Sequence, residues 1–341
     1  MNDIEPMGVV PSIIKRILSR LHAPVLIGSH QIRTGASIGV TLYPDSALDK
    51  ETMLQQADLA LYQVKEQGGL QYHLFDKTLK QAAAKQGALE KQIISALNNE
   101  DLMLFFQPCY NYQTHKVESM EALLRLRHSE HGVLDPARFL EIAERSGLAC
   151  QIDMWLLKNV CTQANQWLQE GIDFGRLSFN VCARELCKNG FAQRVCETLD
   201  LLEVPGNCIA IEVMERYAIK DFVNYADNIS QLRAKGISIM LDDLGTEHSS
   251  LQRMLESDVD VVKIDQYFVQ HIGEKRAETV IKSLIGLATG MGVRVIAEGV
   301  ETQEQLGFLL HNGCFSIQGY IHARPMPAID ISAYFKQLPE A

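Results

Sequence analysis

The sequence predicts a βα barrel preceded by a small α+β unit, and three observations lead there. From about residue 101 to 337, short apolar strand-like runs alternate with amphipathic helical segments, and the strand-like runs number eight. That span of about 235 residues matches the roughly 250 of a single barrel. Polar or charged residues stand at nearly every strand end: Gln107, Glu121, Asn180, Glu212, Asp243, Asp265, Glu298 and Gln318. A doubly wound open sheet, the alternative, collects such groups at the two strands flanking one switch point, so polar caps on most strands favour the barrel.

Residues 1–76 read as helix, strand, strand, helix, strand. Ile13 to Leu21 has the spacing of an amphipathic helix, and Gln31 to Tyr43 alternates like one strand before a turn at Pro44-Asp45. Glu51 to Glu66 places Met53, Leu54, Ala57, Ala60, Leu61 and Val64 on one helical face; Gly68-Gly69 ends it, and Tyr72 to Phe75 supplies the last strand. The run Ala36-Ser37-Ile38-Gly39-Val40-Thr41-Leu42-Tyr43-Pro44, with Ala57-Asp58-Leu59-Ala60-Leu61-Tyr62 and Lys65, resembles the back half of a GGDEF-type diguanylate cyclase domain. No Gly-Gly-Asp/Glu-Glu-Phe turn, the seat of that family's cyclase chemistry, occurs in the sequence, so residues 1–76 are expected to pack rather than to cyclise. Residues 77–100 are rich in Ala, Gln, Lys and Leu, with Leu79, Ala83, Leu89, Ile93 and Leu97 near helical spacing, and read as a linker helix.

In the barrel, residues 101–341, helices are predicted at Pro136 to Ser146, Ile152 to Gln169, Glu185 to Leu199, Tyr217 to Lys235, Ala277 to Gly290 and Glu304 to Asn312. Its central stretch is Ile237 to Asp265. The apolar run Ile237 to Leu241 stops at adjacent carboxylates, Asp242 and Asp243, and a second run, Val259 to Ile264, carries Lys263 and is followed by Asp265. Two touching carboxylates repel unless a proton or a cation lies between them.

Composition narrows the function classes. A formal net charge of -10 argues against a broad basic face for DNA or anionic membrane. Eight cysteines without a CxxC pair read as buried thiols, which suits a reducing cytoplasm. The sequence has no apolar window of membrane-spanning length, so the expected location is cytoplasmic, or the cytoplasmic part of a larger anchored protein. Glu121, Glu212, Asp242, Asp243 and Glu298 converge, on a barrel, at one mouth with Lys263. Hard oxygen ligands in that number suit Mg2+ or Mn2+ rather than a structural zinc. Two such ions, sharing a carboxylate, are the arrangement used for in-line attack on a phosphodiester.

The motif series then resembles a known family. Glu121-Ala122-Leu123-Leu124-Arg125, Pro136, Phe139, Ala143-Glu144, Asn180, Glu212 with Glu215, Asp242-Asp243, Lys263-Ile264-Asp265, Ala297 to Thr302 and Gln318-Gly319-Tyr320 are similar, in order and spacing, to the EAL domain of cyclic-di-GMP phosphodiesterases. The resemblance implies hydrolysis of cyclic-di-GMP to linear pGpG, a bacterial second-messenger turnover reaction, in a homodimer. It implies one metal on Glu121, Asn180, Glu212 and Asp242 and a second on Asp242, Asp243 and Glu298. Lys263 would contact the attacking water, and Glu298 or Glu301 would accept its proton. Gln107, Glu121, Leu123, Arg125, Asp265 and Gln318 would contact the ligand, Arg125 through its phosphate. Glu215 would brace the loop after Asp243.

That loop departs from the family's Asp-Asp-Phe-Gly-Thr-Gly-Tyr-Ser-Ser at Leu244, Glu247 and His248, while Met214 and Cys182 replace the usual threonine and serine. Glutamate for glycine restricts the backbone and adds an anion beside an acidic site. The alternative function is an EAL relative that binds cyclic-di-GMP as a receptor and signals through a partner. A Schiff-base enzyme on Lys263 is disfavoured, because nearby carboxylates keep a lysine charged.

Overall fold

The computed structural model describes residues 6–28, 30–44, 49–66, 69–99, 101–128, 131–214, 222–244 and 259–338. The chain divides into two units, Met1–Lys91 and Gln92–Ala341. Among the described residues no helix is long and apolar enough to cross a membrane.

The first unit opens with a helix, Pro6–Leu21, then an antiparallel pair, β1 (Val25–Ile27) and β2 (His30–Ile32). β3 (Ile38–Val40) pairs in parallel with β4 (Tyr72–Leu74) across the helix Lys50–Glu66. The single strand expected from Gln31 to Tyr43 is therefore two short ones in different sheets, separated by an irregular stretch that includes Gly35. Gly39 lets the helix sit directly on β3: a Cβ there would lie 2.0 Å from the Ala57 carbonyl oxygen. Ala60 and Val64 seal that contact and are fully buried. The helix Lys77–Asn99 follows.

The second unit is a closed eight-stranded barrel ringed by helices. Its staves are β5 (Leu102–Asn111), β6 (Lys116–His128), β8 (Arg176–Val181), β9 (Ile209–Met214), β10 (Ser238–Leu244), β11 (Val261–Ile264), β12 (Arg294–Ala297) and β13 (Ser316–Gln318). Two short strands, β7 (Gly132–Leu134) and β14 (Met326–Pro327), extend it at β6 and β5. From β6 round to β13 neighbouring staves run parallel, but β5 is antiparallel to both of its neighbours.

The strand ends expected at Gln107 and at or near Glu121 lie elsewhere, because β5 and β6 form a hairpin. Residues 112–115 are all that join β5 to β6, too few for a crossover, so the two strands can only form a hairpin. Asn111 shapes the turn, its Oδ1 accepting from the amides of Gln113 and Thr114 at 2.9 and 3.0 Å. Both strands run on past the polar residues, which therefore sit mid-strand and face each other, Gln107 opposite Glu121.

Strand alternation sets the barrel interior. Cys109, Ala210, Met240, Val261 and Ile296 form a buried apolar cluster. Two residues along the same strands, and hence on the same inward face, come Gln107, Glu212, Asp242, Lys263 and, just past β12, Glu298. A polar layer thus rests on an apolar floor. Outside the staves, Phe106, Trp167 and Phe174 pack with ring centroids 4.7 and 5.6 Å apart.

Candidate functional site

The polar layer is organised around one buried cation. Lys263 on β11 is 1% exposed, and its Nζ lies 2.6 Å from Glu298 Oε1, 2.7 Å from Glu212 Oε2, 3.0 Å from Glu121 Oε2 and 3.8 Å from Asp242 Oδ1. Gln318 on β13 adds a donor, Nε2 to Glu121 Oε2 at 2.6 Å, and also reaches Gln107 Oε1 at 3.3 Å. Gln107 is itself held by the Ala323 carbonyl at 3.1 Å.

One ammonium does not balance these carboxylates. Burial, followed by the charge on Glu121, pushes Glu212 up to about 8 even with Lys263 alongside. Burial likewise raises Asp242, and holds Glu298 well above the ordinary carboxylate range. Burial alone would lower Lys263, but Asp242, Glu121, Glu212 and Glu298 outweigh it and keep the amine firmly charged. The group is short of positive charge.

Two local features suit it to a divalent ion. Asn180 Nδ2 donates to Glu121 Oε1 at 3.2 Å, and among the described residues Asn180 Oδ1 is a buried acceptor that no donor reaches. Asp242, Asp243 and Glu298 each offer a carboxylate oxygen, all within 4.8 Å of one another. In a regular strand adjacent residues point to opposite faces, so Asp242 and Asp243 should diverge. Here Asp243 adopts a left-handed φ of 57° and the β10–β11 register slips between Leu241 and Leu244, which breaks the alternation.

The other residues singled out in the sequence lie as follows. Leu123 and Arg125 continue the face of β6 that carries Glu121. Arg125 Nε pairs with the exposed Asp135 at 3.2 Å, its Nη1 donates to the Leu124 carbonyl at 2.8 Å, and the guanidinium lies 5.8 Å from the Phe105 ring centroid. Asp265 caps the short helix Gln266–Gln270, accepting from the Tyr267 amide at 2.7 Å. Glu301 is exposed, its amide donating to Gln305 Oε1 at 2.8 Å. Glu215, Glu247 and His248 lie outside the described residues.

Sequence reasoning missed Asp153. It stands on the helix Ala149–Gln169 in line with Ile152, Leu156, Leu157 and Val160, all buried. An acid on an otherwise apolar helical stripe was the available signal. Its carboxylate bonds the Cys182 amide, two residues past Asn180, and among the described residues its Oδ2 has no hydrogen-bond partner. Burial, then the nearby Glu185, raise it from 3.8 to about 7. Cys182 lines a small cavity together with Glu144, Cys150, Glu185 and Lys188.

Removing the central ammonium tests these electrostatics. Lys263→Met, similar in length and uncharged, is expected to cost about 3–5 kcal/mol at pH 8, because it leaves buried carboxylates uncompensated. The loss should shrink towards pH 5 as those groups take up protons. Denaturant melts at both pH values measure it, and an equal loss at both would refute the account.

The geometry can be set beside known proteins. Residues 90–325 match the family model of the EAL domain, and residues 5–71 match that of the diguanylate cyclase, GGDEF domain. The chain is 31% identical over 323 residues to the bifunctional diguanylate cyclase/cyclic di-GMP phosphodiesterase MucR of Pseudomonas aeruginosa, covering 94% of this chain and 47% of that protein. It is 31% identical over 331 residues to the cyclic di-GMP phosphodiesterase PdeR of Escherichia coli, covering 97% and 50%. The chain thus spans about half the length of these curated relatives. Among solved structures, the PaMucR phosphodiesterase in complex with c-di-GMP superposes with a TM-score of 0.67 at 32% identity, covering 72% of this chain and 99% of that one. The EAL enzyme Bd1971, in its cAMP and cyclic-di-GMP bound form, gives 0.71 at 28% identity, covering 86% and 77%.

Proposed function

This chain belongs to the EAL domain family, and from that premise we propose that it hydrolyses cyclic-di-GMP to linear pGpG in a divalent-metal-dependent reaction. The observation that carries the reading is the cage itself: Lys263 among Glu121, Glu212, Asp242 and Glu298, still short of positive charge, with Asn180 Oδ1 an acceptor that no donor among the described residues reaches.

Glu121, Asn180, Glu212 and Asp242 would hold one ion, and Asp242, Asp243 and Glu298 a second. When bound, Mg2+ or Mn2+ ions supply positive charge that acidifies water and stabilises negative charge developing on the phosphoryl oxygens. The residues do the rest. Arg125, whose present partner Asp135 is exposed, can exchange that carboxylate for a phosphate oxygen, which its planar fork fits equally well. Lys263 Nζ, held charged, would exchange one of its carboxylate partners for the attacking water and keep it in line with phosphorus. Glu298 is 17% exposed at its side chain, and burial raises its proton affinity, so that as a carboxylate, with the bound cations beside it, it would accept the water's proton; Glu301 is the second acceptor. The new oxygen–phosphorus bond forms as the bond to the 3′ oxygen breaks. The released 3′ oxygen takes a proton, leaving a 5′-phosphorylated linear dinucleotide.

Asp153 supports guanine as the base. Guanine offers N1–H and N2–H donors side by side, and a buried carboxylate with an oxygen that no donor among the described residues reaches is their natural partner.

Incubating the chain with cyclic-di-GMP and Mg2+ or Mn2+ should yield pGpG by liquid chromatography. Chelation should stop the reaction, and added metal restore it. Binding with no product under either metal would replace the hydrolase reading by a receptor.

A further inference from the structure

The turn that follows β13 carries an arrangement the acidic cage does not use. Gly319 packs against the loop after Glu298, where a Cβ would lie 2.1 Å from the Val300 carbonyl oxygen. Val300 donates to the Gln318 carbonyl at 3.2 Å and accepts from the Ile321 amide at 3.0 Å. Next comes one helical turn, the His322 and Ala323 amides both bonding the Gly319 carbonyl at 3.1 Å. Within such a turn residues 320 and 324 share one side and 322 takes the other. His322 is anchored: it stacks on Tyr110 at 4.3 Å between centroids and bonds the Tyr334 hydroxyl. The Ala323 carbonyl holds Gln107 at the cage. Tyr320 and Arg324 are left at the rim, both exposed, with the guanidinium 4.1 Å from the ring centroid.

We propose that Tyr320, braced by Arg324, is a stacking platform for one guanine of the cyclic dinucleotide. This rests on the function proposed above. A turn pinned on both sides to the site gives the ring a fixed place two residues beyond Gln318. Tyr320 is 47% exposed, which leaves ring surface for a purine, and Arg324 brings positive charge to an acidic rim facing an anionic ligand.

Three variants test it: Tyr320→Ala, Tyr320→Phe and Arg324→Ala. Hydrolysis of cyclic-di-GMP is compared with that of bis(p-nitrophenyl) phosphate, a diester without a purine, and cyclic-di-GMP affinity is measured by calorimetry. Loss of one base stack should raise KM for cyclic-di-GMP about tenfold in Tyr320→Ala with little change in kcat, so that its specificity constant falls about tenfold relative to the purine-free diester. Tyr320→Phe should restore it and Arg324→Ala fall between. A KM in Tyr320→Ala within twofold of the parent, or equal losses on both diesters, overturns the proposal. Should the parent chain bind cyclic-di-GMP without cutting it, the hydrolase reading fails, and the calorimetric contrast between alanine and phenylalanine still decides the role of Tyr320.

Discussion

Glu121→Gln is expected to lower kcat for cyclic-di-GMP about a thousandfold while the protein stays folded. Glu121 joins three parts of the site: Oε2 takes Lys263 at 3.0 Å and Gln318 at 2.6 Å, and Oε1 takes Asn180 Nδ2 at 3.2 Å. An amide keeps the shape but removes one charge and turns an acceptor into a donor. Whichever way it is oriented, its NH2 faces an ammonium or another amide donor, and Asn180 or Gln318 loses its anchor. A weakened ion site together with a displaced lysine exceeds the hundred- to thousandfold cost of deleting one preorganised electrostatic contact. Stability should change little, because relief from one crowded carboxylate offsets the buried donors left facing each other. Release of pGpG and a thermal melt measure the two sides. A rate within tenfold of the parent, or a collapsed melt, would count against Glu121 as the shared link.

Much of this site was legible because a barrel converts strand position into spatial position. Gln107, Glu121, Asn180, Glu212, Asp242, Lys263, Glu298 and Gln318 are spread over more than two hundred residues, yet each follows or interrupts an apolar run. Closing the sheet brings such positions to one layer. The same logic could not reveal the direction of β5, since apolar alternation reads identically both ways along a strand; the direction is set by the short 112–115 connection. Nor could it show how Asp242 and Asp243 serve one space, because a register slip and a positive φ are backbone events. Asp265 read as a strand-end contact to the substrate; its carboxylate also caps a helix, a role that sequence alone does not separate from it. Asp153 was passed over for the opposite reason: it sits inside a helix, away from any strand end, and its one signal was an acid in line with apolar residues on that helix.

Asp153→Asn is expected to make the protein more stable at pH 8 and a poorer binder of cyclic-di-GMP. Burial raises this carboxyl from 3.8 to about 7, so the fold favours its protonated form. The stability it contributes is therefore complete below about pH 4, declines as pH rises through about 7, and changes no further above that. Asparagine resembles the protonated acid and never ionises. The variant's advantage should be absent near pH 4 and reach a plateau above pH 7. A carboxyl carried from 3.8 to about 7 corresponds to about 4 kcal/mol, and an amide N–H without a partner takes back about 1–3, which leaves a gain of about 1–3 kcal/mol. Binding responds with the opposite sign. Guanine's paired donors need an anion, and the amide replaces one acceptor by a donor that meets them head on, so KM at pH 8 should rise at least about tenfold. In the parent chain KM should itself worsen as pH falls through about 7, and in the variant that dependence should vanish. Melts and KM values from pH 5 to 8 on both proteins decide it: a stability gap that does not widen with pH removes the buried-acid account, and an unchanged KM removes Asp153 from the guanine site.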